Sequence, residues 1–139
     1  MLKLATAYLC AGATFIALDA AFLTLVGSRL YRPELDLLLA DKVRATPAVL
    51  FYLLYVAGLV HFCVRPGLAA GWRQALFAGL AFGLVAYGTY DLTCQAVMRA
   101  WSWKITLVDL AWGMSASAIA SVVGVLATRA LVSKHGAAA

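Results

Sequence analysis

Three aspartates stand inside stretches that are otherwise long and apolar. Asp19, Asp91 and Asp109 each interrupt a run of the length that crosses a bilayer. A carboxylate in hydrocarbon costs at least about 2.5 kcal/mol, so each must face protein or water, and such groups commonly serve proton, cation or ligand sites. The block from Tyr87 to Thr93 is the most informative of the three, because two phenols accompany its carboxylate: Tyr87-Gly88-Thr89-Tyr90-Asp91-Leu92-Thr93.

The composition places the whole chain in a membrane. Of its 139 residues 65% are hydrophobic and only 12% are charged, and the mean hydropathy is +0.92. A soluble domain carries about 25% charged residues, so we predict one transmembrane domain over residues 1–139. The formal charge of +5 lies between apolar runs and forms no basic face. Membrane lipids are therefore expected partners, and nucleic acid is not.

The hydrophobic pattern predicts an all-α, polytopic fold, with four transmembrane helices in an antiparallel bundle. Their expected bounds are about 4–26, 47–64, 74–98 and 105–131. The second helix is expected to end at Arg65-Pro66-Gly67, since proline cannot continue the hydrogen-bond ladder. The basic residues number five on one side of the membrane and six on the other. The positive-inside rule therefore leaves the orientation open.

A short interfacial helix is predicted between the first two spans, over about 33–44. Pro33 suits a first helical position. Its apolar side chains fall on one stripe, formed by Leu35, Leu38, Leu39 and Val43. Such a helix would lie on the bilayer surface or cover a pocket as a lid.

The three aspartates are expected at one depth. Call the side of the membrane that carries the connections 28–46 and 99–104 the Trp101 end. At 1.5 Å per residue Asp19, Asp91 and Asp109 lie about 12, 10 and 8 Å from it. Two tyrosines of the second helix enter from the same end at about 8 and 12 Å, Tyr52 and Tyr55. Three spans thus bring carboxylates to one leaflet.

Helical periodicity predicts that two of these carboxylates face the inside of the bundle. In the third helix every fourth position forms one stripe, Gly79, Gly83, Tyr87 and Asp91. The fourth helix repeats the pattern with Asp109, Gly113, Ser117 and Ser121. Small residues at this spacing let membrane helices approach closely, so both aspartates should lie at helix contacts.

We therefore predict a polar pocket inside the bundle. The candidate catalytic residues are Asp91, as central acid or base, with Asp19 and Asp109 tuning it. The candidate ligand-binding residues are Tyr52, Tyr55, Tyr87, Tyr90 and Trp112. Desolvation and neighbouring like charge disfavour ionised carboxylates, so some should be protonated. The chain has no His-rich set, HExxH motif or phosphate loop, so no metal is predicted and the cofactor is unknown.

Two blocks carry a family resemblance, Ala86-Tyr87-Gly88-Thr89-Tyr90-Asp91-Leu92-Thr93 and Val108-Asp109-Leu110-Ala111-Trp112-Gly113. With the 47–58 segment and the Leu18-Asp19 pair, they resemble a family of small bacterial membrane proteins of unknown function. The resemblance covers nearly the whole chain. It implies a four-helix, multi-pass protein of the bacterial inner membrane and supplies no activity.

Three functional interpretations remain open on the sequence. The first is a pocket for a small or lipid-derived ligand, in a binding protein or a membrane enzyme. The second is a proton- or cation-coupled carrier, expected to form a homo-oligomer because four short helices enclose little space. The third is an accessory or assembly subunit, in which the aspartates only join helices through hydrogen bonds. Replacing Asp91 with asparagine distinguishes them, because a joining residue is needed for folding and a pocket residue for binding.

Overall fold

Long apolar helices make up most of the chain. The structure is a computed structural model that describes residues 2–35, 38–40 and 42–136. Within these ranges four helical stretches are long and apolar enough to span a membrane, which confirms the all-α, four-span prediction. The elements are α1 (Leu2–Leu35), α2 (Ala45–Leu59), a π-helical turn (Val60–Val64), α3 (Arg65–Ala70), α4 (Trp72–Val97) and α5 (Trp103–Gly136).

The first helix is longer than its apolar run. α1 continues through Pro33 to Leu35, about nine residues beyond the expected end near residue 26. Leu30 and Leu35 are buried in a small second core with Ile105 of α5. Burial of these leucines stabilises the extension, because each buried leucine contributes about 1.5–3 kcal/mol.

The separate interfacial helix expected over 33–44 is not confirmed. Residues 33–35 end α1, and the described residues 38–40 and 42–44 are turn and non-helical chain. Positions 36, 37 and 41 of that prediction lie outside the described residues. The apolar stripe that suggested a surface helix is instead divided, with Leu35 buried in the second core and Leu38 and Leu39 exposed.

The second span continues past Pro66, although the sequence predicted that it would end there. It passes through the π turn into α3 and ends only at Gly71, whose φ of 109° is a conformation that favours glycine. A proline ring inside a helix clashes with the carbonyl of the residue four positions earlier. The π turn before α3 widens the helix there, so the span accommodates Pro66 near the first turn of α3.

The closest helix contact joins α4 and α5. A Cβ on Gly83 would lie 2.1 Å from the Gly113 carbonyl oxygen, and one on Gly79 would lie 2.7 Å from the Ala118 Cα. The two backbones therefore touch where the predicted small-residue stripes lie. Since Asp91 and Asp109 occupy the same stripes, this contact brings both carboxyls into the bundle.

Candidate functional site

Asp19 joins three spans. Its carboxyl accepts a hydrogen bond from the Tyr52 hydroxyl of α2 at 2.5 Å and one from the Trp112 indole N–H of α5 at 3.3 Å. The side chain is 7% exposed. Trp112 is fixed further by stacking on Phe22 of α1, with 4.3 Å between ring centroids. These three predicted site residues therefore form one hydrogen-bonded group.

Asp109 has a partner that the sequence analysis missed. The Tyr31 hydroxyl donates to the Asp109 Oδ1, and Tyr31 was not among the predicted site residues. The extension of α1 brings Tyr31 back over α5. A signal was present in the sequence, because the apolar spacing of Phe22, Val26 and Leu30 continues the helical stripe past Gly27.

Asp91 is buried without a partner. It is 0% exposed, and neither carboxyl oxygen accepts or donates a hydrogen bond within the described part of the chain. Asp91 lies within electrostatic range of Asp109, and Asp109 lies within range of Asp19. Of the three carboxyls, those of Asp19 and Asp109 are hydrogen-bonded and that of Asp91 is not.

Tyr55 contributes mainly to packing. It is 7% exposed and stacks on Phe15 with ring centroids 4.5 Å apart. Its hydroxyl lies 2.7 Å from the Ser117 Oγ, and the Ser117 hydroxyl donates to the Gly113 carbonyl at 2.5 Å. Because serine has a single O–H, Tyr55 is the donor in the first bond. Ser117, expected only as a small contact residue, fixes this tyrosine.

Tyr87 and Tyr90 differ in exposure. The half-buried Tyr87 ring covers Gly113, where a Cβ would lie 2.3 Å from ring carbons. Within the described residues the Tyr87 hydroxyl makes no hydrogen bond. Tyr90 is 60% exposed and meets Trp101 edge to face at 5.6 Å between centroids. Tyr87 is therefore the more buried of the two tyrosines.

A cavity of about 340 Å³ lies among α2, α4 and α5. Its walls are Phe51, Tyr55, Ala86, Tyr87, Tyr90 and Asp109. Ligand pockets usually have volumes of about 300–1,000 Å³, mostly apolar walls and a few polar groups. A second cavity of about 470 Å³ lies on the Tyr31 side and shares Tyr90 and Asp109 with the first. Asp109 is therefore the carboxyl that both cavities reach.

The structure divides the predicted site residues into two groups. Four of them line the first cavity: Tyr55, Tyr87, Tyr90 and Asp109. The other four are not among its walls: Asp19, Tyr52, Asp91 and Trp112. Among the residues that the structure describes, no three His, Cys, Asp or Glu side chains are grouped so as to hold a metal ion.

The Tyr31 contact can be tested by one substitution. Tyr31→Phe removes the hydroxyl that donates to Asp109, and we expect it to lower the free energy of unfolding by about 1.5–3 kcal/mol, the range for a hydrogen bond to a charged group. An SDS titration followed by circular dichroism measures this. Tyr8→Phe is the matched control, because the Tyr8 hydroxyl donates only to a helix carbonyl, that of Leu53. Equal losses in both variants would contradict the Asp109 contact.

Together these features define a class, that of small multi-pass membrane proteins with a carboxyl–tyrosine cluster inside four helices. Residues 4–126 match the family described as "Predicted membrane protein (DUF2177)". Since this match covers most of its length, the chain belongs to that family, whose function is unknown. No curated protein and no solved structure matches the chain.

Proposed function

We propose that this protein binds a small, lipid-soluble ligand in the aromatic cavity between α2, α4 and α5. The ligand's polar group donates a hydrogen bond to Asp109, and its apolar part lies against Phe51, Tyr55 and Tyr87. The observation that carries the proposal is the cavity of about 340 Å³, whose walls combine four aromatic rings with one carboxyl.

The chemistry of Asp109 supports a ligand that donates. Tyr31 occupies its Oδ1, and within the described residues no hydrogen bond reaches its Oδ2. A ligand hydroxyl or ammonium group could donate to this oxygen, and a hydrogen bond to a charged group contributes about 1.5–3 kcal/mol. An ammonium group would also gain from the aromatic walls, because cations are attracted to ring faces.

Asp91 supports an extended version of the proposal, in which the site exchanges a proton with its ligand. This carboxyl lies near Asp109 and has no hydrogen-bond partner in the described chain. A neutral carboxyl is far less costly to bury than an ionised one, so Asp91 is suited to hold a proton behind the cavity. The same property suits a proton-coupled carrier, which we place second because such a carrier also needs a route to the opposite side of the membrane.

The proposal also includes the membrane in which the protein lies and the side on which the site opens. We infer a multi-pass protein of a bacterial inner membrane, with the site open to the lipid side past Tyr90, which is 60% exposed. The accessory-subunit interpretation is weaker for Asp91 than for Asp19 and Asp109, because those two accept hydrogen bonds from other helices and Asp91 accepts none within the described residues.

Alkyl probes with different head groups test the proposal. Octylamine, octanol and octanoate are added to the detergent-purified full chain, and their dissociation constants are measured by native mass spectrometry. We expect the amine and the alcohol to bind and octanoate to bind at least tenfold more weakly, because its carboxylate would face Asp109. Asp109→Asn should weaken octylamine binding by tenfold or more, the ratio that corresponds to a charged hydrogen bond.

Two further variants complete the test. Glu34→Gln is the matched control, since it removes a carboxylate that lies outside the cavity and pairs with Lys104 at 3.8 Å. Ala86→Leu fills the cavity from its wall and should reduce binding of the amine and the alcohol together. Octanoate binding as tight as octylamine binding, or an Ala86→Leu variant that binds like the wild type, would overturn the proposal.

A further inference from the structure

A cationic surface lies at the end of the bundle opposite the aspartates. We call it the Gly71 end, where α1 begins, Gly71 links α3 to α4, and α5 ends. Its segments 2–10, 62–76 and 126–136 contain no aspartate or glutamate. Among the side chains that the structure describes there are four lysines and arginines, which are Lys3, Arg65, Arg73 and Arg129. Basic residues at a membrane surface attract anionic lipid headgroups.

A cavity is built into this end between the first turn of α1 and the last turns of α5. Its volume is about 370 Å³, and its walls are Lys3, Thr128, Arg129, Val132 and Ser133. Two cationic side chains from different helices therefore line one space, together with two hydroxyl-bearing side chains. This is a different composition from that of the aromatic cavity, whose charged wall residue is a carboxyl.

Arg129 is held in place before any ligand arrives. One guanidinium nitrogen, Nη2, donates to the Gly67 carbonyl at 3.2 Å and to the Leu68 carbonyl at 2.9 Å. These carbonyls lie near the end of α3, where cations are favoured by the helix dipole. The remaining donors, on Nε and Nη1, stay available for an anion, and a fixed guanidinium loses less entropy when it binds one.

Thr128 provides an independent indication of a ligand. It is 1% exposed, it lines the cavity, and its hydroxyl has no hydrogen-bond partner in the described part of the chain. Several other helical threonines donate to the carbonyl four residues earlier, as Thr89 and Thr93 do. A buried hydroxyl without a partner costs about 1–3 kcal/mol, which a phosphate oxygen acting as acceptor would offset.

We propose that this cavity binds the phosphate of an anionic phospholipid headgroup, between Lys3 and Arg129. A lipid is favoured over free phosphate because the surface beside Lys3 is apolar, with Leu2 and Leu4 exposed by 64% and 46%. Acyl chains lie along these leucines while the headgroup phosphate contacts Lys3, Arg129 and the Thr128 hydroxyl. The site is separate from the aromatic cavity and independent of its function.

Lipid binding by the full chain tests this site. Detergent-purified protein is mixed with phosphatidylglycerol or phosphatidylcholine, and native mass spectrometry gives the dissociation constants. Lys3→Gln should weaken phosphatidylglycerol binding about fivefold, the effect of one basic residue at an anionic surface, and leave phosphatidylcholine unchanged. Arg73→Gln is the matched control, because Arg73 lies at the same end but over the Trp72 ring, 5.6 Å from its centroid, and outside the cavity.

Thr128→Val separates binding from folding. It replaces the hydroxyl with a methyl group of similar size, so we expect weaker phosphatidylglycerol binding with an unchanged or higher thermal midpoint. Equal losses in Lys3→Gln and Arg73→Gln would overturn the proposal in favour of general surface charge. Displacement of the lipid by millimolar inorganic phosphate would overturn the lipid assignment, because the site would then recognise phosphate without the acyl chains.

Discussion

Gly83→Ala is expected to prevent α4 and α5 from docking. The added Cβ would lie 2.1 Å from the Gly113 carbonyl oxygen, 2.5 Å from its carbon and 2.8 Å from the Met114 Cα. All three are backbone atoms, so no side chain can rotate away and the helices must separate. Overpacking typically costs about 1–3 kcal/mol, and a backbone clash places this variant at or above the upper end. A thermal scan by circular dichroism in detergent measures the loss.

Gly88→Ala is the matched control on the same helix. Gly88 is buried, yet a Cβ there would meet no atom within 4 Å. Alanine is favoured over glycine inside a helix by about 0.8–1.0 kcal/mol, so this variant should match or exceed the stability of the wild type. Similar losses at both positions would mean that the effect comes from the membrane helix itself, and would contradict the close α4–α5 contact.

Asp19→Ala and Asp91→Ala are expected to change stability to very different extents. Asp19→Ala leaves the Tyr52 hydroxyl and the Trp112 N–H without the acceptor that they share. Each of the two unsatisfied donors costs about 1–3 kcal/mol, so the free energy of unfolding should fall by about 2–6 kcal/mol. Asp91→Ala leaves no donor unpaired, because Asp91 has no partner in the described residues. Removing a desolvated carboxyl offsets the small cavity that it leaves, so we expect a change within about 1 kcal/mol.

The comparison of these two variants also decides between interpretations of the aspartates. SDS titrations of both, followed by tryptophan fluorescence, give the two free energies in one experiment. If Asp91→Ala unfolds as readily as Asp19→Ala, Asp91 joins helices and the accessory-subunit interpretation gains. If Asp91→Ala is as stable as the wild type, the Asp91 carboxyl does not contribute to folding. This result is the one that the proton-holding role requires.

The aromatic cavity and the cavity at the Gly71 end should bind ligands of opposite charge. The aromatic cavity has a carboxyl and no lysine or arginine in its walls, so it favours donors and cations. The cavity at the Gly71 end has Lys3 and Arg129 and no carboxyl, so it favours anions. Octylamine and phosphatidylglycerol should therefore bind to the same molecule without competition, and Asp109→Asn and Lys3→Gln should each affect only one of them.

Some features follow from sequence periodicity alone. Hydrophobic runs of sufficient length determine four membrane spans, because every backbone group in hydrocarbon must be paired within its own helix. Helical rise also predicts a common depth for Asp19, Asp91 and Asp109, and the i+4 repeat of small residues predicts the contact at Gly83. These properties are local, since they depend only on 1.5 Å and about 100° per residue.

The tertiary structure alone decided which polar groups meet. The partner of Asp109 is Tyr31, because burial of Leu30 and Leu35 against α5 extends α1 beyond its apolar run. The second span passes Pro66 because a π turn accommodates the ring, although the residue type by itself predicts a stop. Asp91 accepts no hydrogen bond within the described residues, while the Tyr87 ring covers Gly113 and Tyr90 is 60% exposed. Side-chain partners depend on the rotation and length of whole helices, and packing between spans sets both.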